Sequence, residues 1–234
     1  MKFRSPIFSQ VSGSIGGTTF AHNRGGLYTR NRRSPTNTPT PARMEVRAAL
    51  AAIAQRWFTG LSDGQRSAWA DYAAAVPVLD AFGQPTHLTG QQMFIRCNSI
   101  RDRIGYGAAG DGPVVMAMAG LTAPTLSVSD TILHIGDLKV DFTLSDDWTK
   151  DEGGGLVIQL ASGCKPTRTV RCTPLRYFGN IPGVGSTGPP NPSFLTPVAP
   201  FPTGCRIFYR LLVTMGDARL SQVVTGSFLT PAET

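Results

Sequence analysis

Arg206-Ile-Phe-Tyr-Arg-Leu-Leu-Val-Thr214 is followed by Met215-Gly-Asp-Ala218 and then by Arg219-Leu-Ser-Gln-Val-Val-Thr-Gly-Ser227. In the first stretch Ile207, Tyr209, Leu211 and Val213 alternate with their neighbours, the period-two pattern of a strand with one face buried. The span from Val213 to Ser221 holds Gly216 and Asp217 at its centre and reads as a hairpin between the last two strands. Upstream, short β-rich runs fall at 125–129, 132–135, 139–144, 155–160 and 169–175, separated by turn clusters such as Ser145-Asp146-Asp147 and Glu152-Gly153-Gly154. With 206–214 and 219–227 they predict seven strands in residues 121–234, the pattern of an immunoglobulin-like or fibronectin-type β-sandwich. Residues 178–201 are rich in Pro and Gly and read as a long surface loop reaching towards a partner.

Ahead of this region the period changes. Residues 41–105 predict three helices. Thr40 is a suitable N-cap with Pro41 at the first helical position. Val46, Leu50, Ile53 and Trp57 then share one face, and Gly60 ends the helix. Ser62 and Gln65 are placed as a capping box for a second helix with Trp69, Tyr72, Ala73 and Val76 on its apolar face, stopped by Pro77. Thr89 and Gln92 repeat the box for a third helix, with Met93, Cys97, Ile100 and Ile104 inward. Residues between Val78 and Leu88 form an extended excursion turning near Gly83-Gln84-Pro85. Residues 106–120 read as a flexible Gly-rich linker. The predicted class is α+β.

The beginning of the chain is different again. Residues 1–47 contain Lys2, Arg4, Arg24, Arg30, Arg32, Arg33, Arg43 and Arg47 against the single acid Glu45, an excess equal to the formal charge of +7 for the whole chain. Residues 1–40 are also rich in Gly, Ser, Thr, Asn and Pro, a composition with too few apolar groups to offset the entropy of ordering alone. They predict an extended basic arm that orders against something else. Thr18, Thr19 and Phe20 suit addition to a sheet edge, and Ser34-Pro-Thr-Asn-Thr-Pro-Thr-Pro41 enforces an extended backbone.

Few residues point to chemistry. Cys97, Cys164, Cys172 and Cys205 form no CxxC pair and no zinc spacing; they read as free thiols, with a disulfide among the last three restricted to an oxidising setting. His22, His87 and His134 lie in separate segments. Residues 105–110 match GxGxxG but follow a helix, not a strand, and read as linker. Asp146-Asp147 and Asp151-Glu152 lack calcium-loop spacing and read as solvated turns. No catalytic, metal or cofactor set emerges, so the chain reads as non-enzymatic. The first residues lack a continuous apolar run, and no stretch reaches the ~18 residues needed to span a bilayer, so cytoplasmic synthesis and no membrane partner are expected.

The arm therefore carries the functional expectation. Its arginines and aromatics suit contact with phosphates and bases. They also suit bidentate contact with carboxylates and carbonyls of a neighbouring subunit, and the Gly, Thr and Asn content favours this protein-docking reading. The residues expected to dock are Phe20, Arg24, Leu27, Tyr28, Arg30, Arg32 and Arg33, aromatics as anchors and arginines as clamps.

Gly13-Ser-Ile-Gly-Gly17, Arg24-Gly-Gly-Leu-Tyr28, Asn37-Thr-Pro-Thr-Pro41, Leu61-Ser-Asp-Gly-Gln-Arg-Ser-Ala-Trp69 and Leu88-Thr-Gly-Gln-Gln-Met-Phe94 together resemble a group of phage and prophage virion structural proteins over residues 12–100. The C-terminal β region is similar to add-on β domains of virion proteins. The resemblance implies a structural gene product of a bacteriophage without saying which part of the particle; the chain is read as a head-associated component (decoration, minor capsid or connector), oligomeric there, with other virion proteins as partners. Tail or baseplate placement, and a nucleic-acid-binding accessory role, are the alternatives. The resemblance implies no catalytic residues.

Overall fold

The computed structural model describes residues 12–23, 26–32, 39–79, 83–131 and 133–232. The chain divides into two compact units, Met1–Met44 and Glu45–Thr234. The first contains a three-stranded antiparallel sheet in the order β1 (Gly13–Ile15), β2 (Thr18–Asn23), β3 (Gly26–Asn31). Gly16, at φ +57°, supplies the left-handed backbone of the turn between β1 and β2, where Ile15 pairs with Thr18. The sequence reading expected an extended arm here; residues 13–31 instead pair with each other. The Gly16-Gly17 turn and the β2–β3 ladder hold the Thr-, Phe- and Tyr-containing strands together, so the backbone groups that Thr18, Thr19 and Phe20 would offer to a foreign sheet edge are used locally.

Three helices follow, the first beginning four residues before the second unit. α1 (Pro41–Thr59) begins at the expected proline. α2 (Asp63–Ala75) and α3 (Gly90–Arg103) both carry complete capping boxes, Ser62 with Gln65 and Thr89 with Gln92. Each box satisfies donors that the first helical turn otherwise leaves unpaired. The helices meet around Trp69, whose ring lies edge-on to Phe94 at 5.4 Å between centroids, with Trp57 against the same phenylalanine at 5.5 Å. On α1 only the C-terminal half of the expected face is covered. Ile53 is buried and Trp57 partly so, whereas Val46 is 55% and Leu50 48% exposed. The excursion after α2 is a short ribbon, β4 (Val78–Leu79) paired with β5 (Pro85–Thr86).

The remaining strands form two antiparallel sheets. β6 (Thr125–Val128), β7 (Leu138–Asp141) and β10 (Ser193–Leu195) make a three-stranded sheet in the order β10-β7-β6. β8 (Gly155–Leu160), β9 (Arg176–Pro182), β11 (Arg206–Thr214) and β12 (Val224–Leu229) make a four-stranded sheet in the order β12-β11-β8-β9. Leu126, Leu138 and Val140 from the smaller sheet share one apolar core with Leu156, Ile158, Ile207, Leu211 and Val213 from the larger. The alternate residues Val157 and Leu212 point the other way and join the helical core with Trp69, Tyr72 and Phe94. The four-stranded sheet is therefore a middle layer, which is why all six residues of β8 are buried.

Three sequence expectations are corrected. Residues 133–135 lie in a turn, and Ile132 is outside the described residues. The strand expected at 169–175 is an irregular loop, and the chain pairs with β8 only from Arg176 onward. The Pro/Gly-rich stretch 178–201 is not a free loop: it contains most of β9 and all of β10, and Ile181 is a core residue. Its prolines sit at the end of β9 and between the strands, where no ladder donor is lost. Residues 106–120 hold neither helix nor strand, yet they are anchored. Asn98 donates to Ala109 O at 3.3 Å and accepts from Ala109 N at 2.7 Å, and Trp69 Nε1 donates to Gly110 O at 2.9 Å.

Candidate functional site

The N-terminal sheet sorts the expected docking residues onto two faces. Strand alternation and the pairings Phe20 with Thr29, His22 with Leu27, Ala21 with Tyr28 and Thr19 with Arg30 settle the sides. Phe20 and Leu27 share a face with Ile15, which is 76% exposed. Tyr28 and Arg30 share the other with Ser14 and Thr19. Ser14 and Thr19 are joined there through their hydroxyls at 2.8 Å. Arg32 follows β3, its backbone N–H donating to Gly17 O at 2.8 Å. Arg24 and Arg33 lie outside the described residues. The expected anchors and clamps are thus divided between a face with Ile15, Phe20 and Leu27, which also carries Thr18, His22, Thr29 and Asn31, and a face with Tyr28 and Arg30, because the strands are regular and successive side chains must alternate.

A second candidate lies in the Glu45–Thr234 unit. The sheet face that carries Val157 and Leu212 meets the helices, and along β11 it continues through Arg210 and Phe208 into a cleft. Phe208, Arg210, Thr225 and Ser227 floor this cleft of about 1140 Å³. Val78 and Leu79 of β4, Met116 and Met118 form apolar walls. Three cations line it: Arg96 from α3, Arg171 from the irregular loop and Arg210 from β11. No Asp or Glu lies among the described residues that line it, and no ion pair engages these arginines among the described residues. The Nε of Arg210 is buried without a hydrogen-bond partner. Burial, reinforced by the like charges of Arg96 and Arg171, pushes the Arg210 guanidinium below its usual range. The sequence analysis did not single out these residues. No local signal marked them: Arg210 falls at an outward position of the 206–214 alternation, where an arginine facing solvent is ordinary.

Other polar groups of the unit are structural. Arg101, near the end of α3, donates from Nη1 to Gly153 O at 2.9 Å and Met215 O at 2.6 Å, and from Nε to Gly107 O at 3.3 Å. Burial lowers its pKa, opposed by the nearby Asp151 carboxylate. Asp151 in turn accepts from Gly216 N at 2.7 Å and Gly153 N at 3.0 Å, and Asp146 accepts from Thr122 N at 2.8 Å and Thr122 Oγ1 at 2.7 Å. Both carboxylates are turn staples. Burial also pushes the Tyr72 hydroxyl up and the Cys97 thiol up to about 12.

The histidines stay apart. His134 Nδ1 lies 3.0 Å from an Asp137 oxygen, with its ring stacked on Phe194, and His87 Nδ1 lies 3.2 Å from Ala73 O. Among the described residues no group of three metal-ligating side chains converges, and no helix is long and apolar enough to cross a membrane.

Cys164 and Cys172 form a disulfide, whereas Cys97 and Cys205 are free. The sequence reading favoured free thiols and left a disulfide among Cys164, Cys172 and Cys205 open; the first two pair because the turn at Lys165–Arg168 returns the chain and sets their Cα atoms 6.4 Å apart, within bonding range.

No protein-family model matches the chain, and no curated protein matches it.

Proposed function

We propose that this chain is a non-enzymatic structural component of a bacteriophage virion, head-associated, that docks to neighbouring subunits through its N-terminal unit. The observation carrying this reading is the organisation of the chain. A compact N-terminal unit that holds the whole excess positive charge precedes a larger, formally neutral unit with its own core. A three-stranded sheet this small is marginal alone, and Ile15 stands 76% exposed on it, apolar surface that an assembly contact would cover. Val46 and Leu50, exposed on α1, offer neighbours a separate apolar surface on the larger unit. The C-terminal region supports the finer reading of a fibronectin-type sandwich. Its three-stranded and four-stranded antiparallel sheets share one core, and their strand orders β10-β7-β6 and β12-β11-β8-β9 suit that topology. Removal of residues 1–40 tests the proposal. The remaining chain is expected to keep its helices and its strands β4–β12, losing only β1–β3, but to be missing from assembled particles. Incorporation of the truncated chain at the parent level would refute it.

One observation favours a second reading, in which the arm holds nucleic acid. Tyr28 and Arg30 lie on the same side of the sheet, so an aromatic face and a cation are presented together. Salt dependence separates the two. Contacts to about five phosphates predict a slope near −4.5 in log affinity against log salt, whereas a docking arm without phosphate contacts shows no such oligonucleotide binding.

A further inference from the structure

We propose that the arginine-lined cleft at the β11–β12 end of the middle sheet binds an extended acidic peptide segment of a partner protein, with carboxylates on Arg96, Arg171 and Arg210 and aliphatic side chains against Leu79, Met116 and Phe208. The site does not depend on the virion reading and is independent of the N-terminal sheet.

Charge complementarity selects an anion. Three guanidiniums converge on one cleft with no acidic residue among the described lining residues, and like charges gathered without counter-ions destabilise the free site. Arg210 adds a directional demand, since its buried Nε has no acceptor in the free protein. A planar guanidinium is suited to bidentate contact with a carboxylate.

Size and walls select the kind of anion. At about 1140 Å³ the cleft exceeds the ~300–1,000 Å³ typical of small-molecule pockets, so it suits a stretch of chain better than a metabolite. Its walls are largely aliphatic. Of the two aromatic residues lining it, Tyr209 has its ring turned into the core against Phe228, at 6.4 Å between centroids. That leaves Phe208 as the single available ring, too little for a stacking platform that tracks successive bases. β12 pairs only with β11 among the described strands, and Thr225, Gly226 and Ser227 line the cleft. An extended peptide laid there finds unpaired strand backbone beside the arginines.

The test uses the full chain and fluorescence anisotropy with three labelled probes: a ten-residue peptide alternating Glu and Leu, its Lys/Leu counterpart, and a ten-nucleotide oligothymidylate. The Glu/Leu peptide is expected to bind and the Lys/Leu peptide not. Arg96→Gln and Arg171→Gln should each weaken binding about tenfold or more, with unchanged circular dichroism, whereas Arg30→Gln/Arg32→Gln in the N-terminal unit should leave it unchanged. The proposal is overturned if the Glu/Leu peptide does not bind at low salt, or if its binding survives both cleft variants. Loss of its binding in the N-terminal variant, or tighter binding of the oligonucleotide through Arg96 and Arg171, would also overturn it.

Discussion

Replacement of Arg101 by methionine removes the polar link between α3 and the loops of the middle sheet. The side chain is 8% exposed, and its Nη1 holds Gly153 O, just before β8, together with Met215 O, just after β11. Asp151 fastens the same two turns through Gly153 N and Gly216 N, so the guanidinium completes a network in which both carbonyls and both amides are satisfied. Methionine retains most of the aliphatic stem but offers no donor. Two charge-assisted bonds at about 1.5–3 kcal/mol each set a gross loss of roughly 3–6 kcal/mol. Burial disfavours the Arg101 charge, so its removal returns part of that, and the expected net loss is about 3–4 kcal/mol. Arg101→Lys, with a compact ammonium that reaches one carbonyl, should lose about half as much. Guanidinium unfolding followed by the fluorescence of Trp57, Trp69 and Trp148 reads the difference as a shift in midpoint at constant slope. A midpoint for Arg101→Met within about 1 kcal/mol of the parent would refute the argument. The helical layer would then be held to the sheet chiefly by apolar contacts, those of Val157, Leu212, Ala218 and Leu220 among them.

Gly90→Ala should destabilise the protein by about 1–3 kcal/mol, although alanine is the better helix former. The added Cβ would stand 2.9 Å from both Cα and N of Ala70, where α3 meets the backbone of α2. A raised melting temperature for this variant would show that the crossing yields freely. Of the two free thiols, Cys205 should react with iodoacetamide at pH 8 and Cys97 only after unfolding, because Cys97 is buried and its thiol is pushed up to about 12. That shift also fixes a pH trend. Between the ordinary thiol value of 9.0 and about 12 the unfolded chain loses this proton while the folded chain keeps it. Stability is therefore unaffected by this group below pH 9 and falls as pH rises through that window, reinforced by Tyr72, whose hydroxyl is shifted in the same direction. Unfolding curves whose midpoints do not decline across that range would contradict it.

Helix boundaries were legible because their chemistry is local. Ser62 with Gln65 and Thr89 with Gln92 sit within one turn of the backbone groups they satisfy, and Pro41 suits the first turn wherever the rest of the chain goes. β8 and β11 were legible to the residue because their apolar alternation is strong. The strand after β8 was not. Residues 169–175 have the better β composition, but hydrogen bonding with β8 selects Arg176–Pro182, a choice made by a partner strand and not by propensity. Cys164 and Cys172 were visible, but their bond depends on the turn between them.

By itself the sequence determined the mixed α+β class, the positions of three helices, the two best strands and the concentration of charge near the start of the chain, since each follows from contacts within a few residues or from composition. Only the tertiary structure decided that the N-terminal strands pair with one another, that Val46 and Leu50 stay outside the core, and that Arg101 ties helix to sheet. It alone also assembled Arg96, Arg171 and Arg210 around one cleft. Those outcomes depend on groups far apart in the chain competing for the same backbone partners and the same buried space, a competition that no local pattern records.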